Sequence, residues 1–347
     1  MAAVKNGALK PKKIIADGVC QMRRTLLIGF LAALGMAPTM VLPAAAHDDY
    51  PNKPVRILVA YAPGGSADIM ARLLAPPLGR VLGTTIVVDN KPGGGGIVGS
   101  EACARAPADG YTICFGSTTT HSILPFLHGG KLPFDPLKDF TALTLVGTQP
   151  NVIAVNPKVP ATTMAELVAW AKKTSGVGYA TAGIGTSNHL IGAYLNKELG
   201  LDIAHVPYRS GGLATGAAVA GEVPMVIDQI STVLPFLNGE KLRAIAVTSP
   251  KRSQLLPDVP SITEGVLPSI KFDSYQAVFA PAGVPPQIVR KLNDAIRTAL
   301  ADPEIRKRHL ELGIELVLNS SEEFTAWLRE TAPRWQELVA LSGAKVE

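Results

Sequence analysis

Cysteine and histidine are scarce in this 347-residue chain, at 3 and 6 residues, and neither type recurs at the spacing of a zinc site. No glycine cluster is followed by Gly-Lys-Ser or Gly-Lys-Thr, which removes a Walker A nucleotide loop. Ser66, Ser117, Ser187 and Ser210 all lie in glycine-containing turns, yet none sits in G-x-S-x-G, so the hydrolase nucleophile elbow is missing. Gly94 to Gly99 fits G-x-G-x-x-G. However, Asn90, Lys91 and Pro92 separate it from the preceding strand, and the next strand ends in Gly116-Ser117 rather than an acidic residue. Those glycines read as a turn that opens a helix beside another backbone. The expectation is a protein with no metal, no cofactor and no catalytic activity; a hydrolase built on Ser187 and His189 is the weaker alternative.

Charge of one sign is also lacking once the first 46 residues are set aside. The chain carries 33 basic and 28 acidic residues, and the whole excess of five lies in that leader: Lys5, Lys10, Lys12, Lys13, Arg23 and Arg24 against Asp17. The remaining 27 basic and 27 acidic residues balance, so no nucleic-acid partner is implied. The leader has the order of an export signal: Arg23-Arg24, then the apolar "TLLIGFLAALGMAPTMVL", then a small-residue stop ending at Ala46. Pro38 and the short apolar core argue against a permanent membrane span. Cleavage after Ala46 would release the protein into the periplasm, by either the general or the twin-arginine route. Cys103 and Cys114 then remain, close enough along the chain to form a disulfide or to stay as two buried thiols.

What is abundant is an alternation of strands and helices. "PVRILVAYA", "TTIVVDN" and "YTICFGS" read as buried parallel strands, with helices predicted over 67–82 and 97–105. After an apparent break near Val146 to Pro150 the rhythm restarts with "NVIAVN", "GVGYATAG", "IAHVPY", "VPMVID" and "LRAIAVTS". "SYQAVFAPAGVP" reads as a strand returning to the first unit. Two packing helices follow: one buries Ile288, Leu292, Ala295, Ile296 and Ala299, and the other opens with the capping-box pair Ser320 and Glu323. The expected organisation is a leader over 1–46, a first α/β domain over 47–147 and 273–347, and a second over 148–272. Pro76-Pro77 and Pro333 fall inside predicted helices, where a kink or short interruption is expected.

Three loops of one character lie after strands: "APGGSAD" at 62–68, "GSTTTHS" at 116–122 and "AGIGTSNH" at 182–189. In a parallel sheet such loops gather at the carboxyl ends of the strands, where ligands bind. They offer backbone N–H groups and hydroxyls but few charges. The first also places Pro63-Gly64-Gly65-Ser66 at a helix N-terminus, an anion-binding position. That favours a carboxylate held by hydrogen bonds. Asp68 suits bracing of its own loop, Asp228 suits either ligand contact or loop bracing, and Thr186 and Ser187 suit a helix cap. His121, His189 and His205 default to structural roles, and Arg209 to a solvated one.

Six stretches carry a resemblance that spans almost the whole chain beyond the leader: "YPNKPVRILVAYAPGGSADIMARLL", "VVDNKPGGGGIVGSEACARAPADGYTICFGS", "LPFDPLKDFTALTLVG", "HVPYRSGGLATGAAVAGEVPMVID", "GEKLRAIAVTSPKRSQLLPDVPSITEG" and "VFAPAGVPPQIVRKLN". In this order they resemble the substrate-binding receptors of tripartite tricarboxylate transporters, the TctC-type or Bug proteins. The resemblance implies a periplasmic type II binding-protein fold: two α/β domains joined by crossing strands, with a ligand cleft between them. It implies a small carboxylate as ligand and the transporter's membrane permease as partner, with a signalling sensor as the alternative partner. Its ligand-binding positions fall on Tyr61, Gly64, Gly65, Ser66 and Asp68, on Ser117, Thr120 and His121, on Gly185, Thr186, Ser187 and His189, and on Asp228. Ala60, Ala62 and Pro63 depart from the "VPFPAGG" arrangement common in that family.

Overall fold

A computed structural model describes residues 50–265, 267 and 272–345. The leader and the expected cleavage after Ala46 lie outside the described residues. Among those residues no helix is long and apolar enough to cross a membrane.

The first stretch runs β1 (Val55–Val59), α1 (Ser66–Leu82), β2 (Ile86–Asn90), α2 (Ile97–Ala104) and β3 (Thr112–Ser117). A π-helical turn at Thr119–Ile123 and the short α3 (Leu124–Leu127) lead into β4 (Phe140–Val155). Next come α4 (Met164–Lys173), β5 (Gly178–Thr181), α5 (Ser187–Leu199), β6 (Ala204–Pro207), α6 (Gly211–Ala220), β7 (Met225–Gln229), α7 (Ile230–Asn238) and β8 (Arg243–Val247). The chain closes with β9 (Asp273–Pro281), α8 (Pro286–Ala301), α9 (Pro303–Glu311), β10 (Glu315–Leu316) and α10 (Ser321–Ser342).

The strands lie in the order β2-β1-β3-β9-β4-β7-β5-β6, with β8 and β10 also pairing β4. Both ends of this series are parallel, as the βαβ rhythm predicts. Its centre is antiparallel, because β4 and β9 run through it as crossing strands. The returning strand read from "SYQAVFAP" is β9, seated between β3 and β4.

The apparent break near Val146 to Pro150 is instead the middle of β4, which continues for 16 residues. Gly147 and Pro150 look like punctuation in the sequence. In the fold, Pro150 stands where β4 changes partner: residues through Pro150 pair with β9, and from Asn151 onward with β7. A missing N–H costs little at such a junction.

Three apolar cores pack about the sheet. Val55, Ile57, Met70, Leu74, Leu78, Leu292 and Ile296 join β1, α1 and α8; Val152, Ala214, Val226 and Val233 form a second; and the largest runs along the crossing strands through Ile153, Ile227, Tyr275, Phe279, Phe324 and Trp335. Each fully buried Leu, Ile or Val contributes about 1.5–3 kcal/mol. That scale explains why the expected interruptions are absent: α1 runs through Pro76-Pro77, and α10 through Pro333. An internal proline costs about 3 kcal/mol, and in α1 the face carrying Leu74, Pro77, Leu78 and Leu82 is buried on both sides of the lost hydrogen bond. The predicted face of α8 is buried, and the Ser320–Glu323 capping box is formed. Cys103 and Cys114 are brought together from α2 and β3, with Cα atoms 6.2 Å apart, a separation a disulfide spans.

Candidate ligand cleft

The loop after β1 ends at Gly65, the N-cap of α1, which has an extended backbone and no side-chain capping bond. The first N–H groups of α1 are therefore left to the cleft. Asp68, one turn into the helix, is only 4% exposed and fixes the loop from behind. Its Oδ2 accepts from Gly64 N–H at 3.0 Å, and its Oδ1 accepts from Arg72 Nε at 2.9 Å and Asn90 Nδ2 at 3.0 Å. Burial alone would raise its pKa. The bonds from Arg72, Gly64 and Asn90 outweigh that and hold the carboxyl below its usual range. Gly64 needs this bracing because its φ is +88°. Tyr61 Oη donates to Gly95 O at 3.2 Å and faces the cleft.

Removing this brace has a measurable cost. Asp68→Ala leaves Gly64 N–H and Asn90 short of an acceptor, while the half-exposed Arg72 regains water. The expected loss is about 2 kcal/mol, read as a melting temperature lower by several degrees at pH 7. Asp68 stabilises the fold above its unfolded pKa, and that contribution disappears as pH falls through its lowered folded value. The gap between wild type and variant should therefore narrow as pH falls below the ordinary aspartate value of about 4. A gap that stays constant on acidification would contradict the ionic brace.

The opposing wall comes from the loops after β5, β6 and β7. Thr186 caps α5, accepting from His189 N–H at 3.3 Å and donating to Gly183 O at 2.7 Å. His189 Nδ1 accepts from Gly185 N–H at 3.1 Å, so its proton resides on Nε2. The ring stacks on His205 at 4.0 Å, and His205 Nε2 lies 2.6 Å from Thr181 Oγ1. Burial lowers His189 to about 4 and, with repulsion from His189, His205 to about 3, so both rings are neutral supports behind the turn. Because the lone-pair nitrogen of His189 is occupied, it cannot act as a base toward Ser187.

Contacts across the cleft are direct. Ala62 N–H donates to Arg209 O at 3.1 Å, Ser210 Oγ to Pro63 O at 3.3 Å, and Ser187 N–H to Thr119 Oγ1 at 3.1 Å. The Arg209 side chain itself is exposed. Glycines permit this approach: a Cβ on Gly212 would lie 2.5 Å from Gly64 O, and one on Gly95 would overlap Ile184 O. Gly99 likewise admits the backbone of Ala60, so the glycine run serves close packing.

Between the walls lies a space of about 30 Å³. Of the expected residues, Tyr61, Gly65, Ser66, Ser117 and Thr186 line it. Thr119, Asn188, Gly211, Gln229 and Gln276 also line it, and sequence reasoning missed them. The N-terminal ends of four helices meet here: α1 at Gly65 and Ser66, α5 at Thr186 and Asn188, α6 at Gly211, and α7 at its N-cap Gln229. Each such end carries about half a positive charge, and no charged side chain lines the space. Ser117 Oγ and Gln276 Oε1 are buried without a protein partner.

The other expected residues stand behind this lining. Thr120 Oγ1 accepts from Ser117 N–H at 3.0 Å and lies 2.8 Å from His121 Nδ1. His121 stacks on Phe279 at 3.7 Å, and burial lowers it to about 3. Ser187 spends its N–H on Thr119, and its Oγ accepts from Ser274 at 3.4 Å. Asp228 is fully buried beneath Gly211, whose Cβ would overlap its carboxylate. Burial pushes Asp228 up to about 7, although Gln229 N–H, Thr215 Oγ1 and Asn188 Nδ2 donate to it. Gln149, on β4, ties the walls together: it donates to Ser66 Oγ and accepts from Ser231 N–H. Its signal was an amide, close to that of Asn151, within a run of apolar residues and threonines.

The sequence profile of the tripartite tricarboxylate transporter family receptor, TctC, matches residues 70–343. A Pseudomonas sp. strain P51 protein from the tcbD-tcbE intergenic region is 33% identical over 319 residues, covering 91% of this chain and 94% of its own. BugT of Bordetella pertussis is 32% identical over 319 residues, covering 92% and 96%. Among solved structures, a periplasmic transporter superposes with a TM-score of 0.82 at 36% identity, covering 86% of this chain and all of its own. MatC from Rhodopseudomonas palustris, with bound malate, gives 0.80 at 30%, covering 84% and 100%. A further R. palustris protein, with adipate, gives 0.82 at 28%, covering 86% and 100%. These are receptors rather than enzymes, and their fold is the two-domain α/β binding-protein fold. The chain belongs to the tripartite tricarboxylate transporter receptor family, TctC.

Proposed function

We propose that this protein is an exported receptor that captures a small carboxylate by closing two domains upon it and delivers it to the permease of a tripartite tricarboxylate transporter. The observation that carries this reading is the meeting of four helix N-termini around one uncharged space. Dipoles and N–H groups hold a carboxylate without a formal cation, and the lining supplies no acid–base pair to transform it. The uncapped first turn of α1 receives one carboxylate oxygen, Ser117 and Gln276 supply side-chain contacts, and Thr186, whose proton is on Gly183 O, only borders the space. Asp68, Thr120, His121, Gly185 and His189 hold those groups from behind. Domain closure follows the crossing strands, with 47–147 and 273–347 moving against 148–272. Release after cleavage at Ala46 would place the receptor in the periplasm.

Malate and adipate in related structures support the carboxylate class. The walls must part to admit either acid, and the shorter one asks for less separation, so a four-carbon dicarboxylate should stabilise this protein more than adipate. At 100 times the dissociation constant, linkage gives about 2.7 kcal/mol of stabilisation, which a thermal-shift panel of organic acids resolves. Native mass spectrometry should recover the bound acid unchanged. A panel with no shift, or an acid returned chemically altered, would reject the reading.

A further inference from the structure

Asp228, near the end of β7, is fully buried against three residues of the cleft lining. Its Oδ1 accepts from Gln229 N–H at 2.8 Å and from Asn188 Nδ2 at 3.4 Å, and its Oδ2 fills the place a Cβ on Gly211 would take. Gln229, Asn188 and Gly211 all line the cleft, so a single layer of residues separates this carboxylate from a bound ligand. No cation balances it. The elements β4, β5, α5, α6 and α7 pack on β7. Of these, β4, α6 and α7 carry no titratable side chain, β5 carries Tyr179, and α5 carries His189, Tyr194, Lys197 and Glu198. Burial keeps His189 neutral, and Lys197 stands in the last turn of α5, where it donates to Leu341 O. The ionised form of Asp228 is therefore favoured chiefly by the N-terminal ends of α6 and α7, the same ends that face the cleft. A carboxylate in the cleft competes for those dipoles and repels Asp228 through the thin buried layer between them.

We propose that Asp228 is a proton site coupled to the cleft, so that the receptor takes up one proton from solvent with each carboxylate it captures; this rests on the carboxylate reading above. Burial already pushes Asp228 up to about 7, and a second negative charge beyond Gly211 raises it further. The protonated carboxyl keeps its partners. Oδ1 still accepts from Gln229 and Asn188, while Oδ2 donates to Thr215 Oγ1, 3.4 Å away, whose hydroxyl turns to accept. No other group of the cleft walls supplies the proton site above pH 6. His121, His189 and His205 are already neutral there, the bonds to Asp68 hold it ionised, and burial raises Tyr61, which stays protonated.

Titration calorimetry of the intact protein with a four-carbon dicarboxylate, run at about pH 7.5 in two buffers of different ionisation heat, reads the proton directly. More than half a proton should be taken up per acid bound, and the dissociation constant should rise at least about tenfold between about pH 6 and pH 8.5. Asp228→Asn, which mimics the protonated carboxyl, should lose both the uptake and the pH dependence and bind more tightly than wild type at the upper pH. Asp273→Asn is the control: that aspartate is also raised by burial but lines a different cavity, and its variant should keep the uptake. Should Asp228→Asn fail to fold, the carbon-13 shift of the wild-type Asp228 carboxyl, followed against pH with and without the acid, replaces it; its midpoint should rise on binding. Binding without uptake, uptake unchanged in Asp228→Asn, or a midpoint that does not move overturns the proposal while the carboxylate reading stands. An acid panel with no binding anywhere in this pH range overturns both.

Discussion

Gly212→Ala is expected to lower affinity for the cleft ligand by about two orders of magnitude while leaving the ligand-free protein at least as stable. Gly212 lies within α6, away from the left-handed region, so alanine there is unstrained and improves helix propensity by up to about 1 kcal/mol. Its Cβ, however, would sit 2.5 Å from Gly64 O on the opposite wall, about 1 Å inside ordinary contact. The walls must separate by that distance, and the cross-cleft bonds of Ala62, Ser187 and Ser210 lengthen with them. At about 1 kcal/mol for each of these bonds, closure loses about 3 kcal/mol, which is about a hundredfold in dissociation constant. Gly216→Ala is the control: it lies on the same helix with nothing within 4 Å of its Cβ, and it should bind normally. Titration calorimetry with the strongest acid of the thermal-shift panel, alongside melting of the free variants, reads both effects. Unchanged affinity in Gly212→Ala would mean that ligand does not bind with the walls in contact.

The residues legible in the sequence are those whose role is local. Gly64-Gly65-Ser66 announces a helix start by composition, and Thr186 is a cap visible three residues before His189. Tyr61, Ser117 and Thr186 were reachable because each lies in or beside a loop that follows a predicted strand. Gln149 and Gln276 were not, since both sit on the crossing strands, and the first lay in a stretch that read as a domain break. Their place at the cleft depends on β4 and β9 pairing over more than a hundred residues of separation, which no local pattern encodes. Gly211 and Asn188 were missed for a related reason: they matter through a partner on another element, Asp228 in both cases. Local chemistry did separate some supports from facing residues. It reads Asp68 as the brace of its own loop and His189 as structural, and both spend polar atoms on backbone N–H groups, whereas the family resemblance sets them beside the ligand.

Those supports make the protein sensitive to acid, with an expected loss of at least about 3 kcal/mol between pH 6.5 and 4.5. His121, His189 and His205 titrate at about 3, 4 and 3 in the folded state, chiefly because burial opposes their charged form. Unfolded, each binds its proton near pH 6.5. Across that window the unfolded chain therefore binds more protons than the native one, and stability falls as pH falls. Two aspartates act in the opposite sense. Burial pushes Asp228 up to about 7, and burial with repulsion from Glu315 pushes Asp273 up to about 6, so the native state takes their protons first. Three histidines against two aspartates leave a net of about one proton, or about 1.4 kcal/mol for each pH unit. His309, also lowered by burial, adds to the loss. Denaturant unfolding between pH 7 and 4.5 should show stability greatest near pH 6.5–7 and declining below. Asp273→Asn removes one of the offsetting groups and should steepen the decline below about pH 6 by one proton's worth, about 1.4 kcal/mol per pH unit. A flat profile in the wild type, or an unchanged slope in that variant, would show that the buried rings gain their protons without opening the fold.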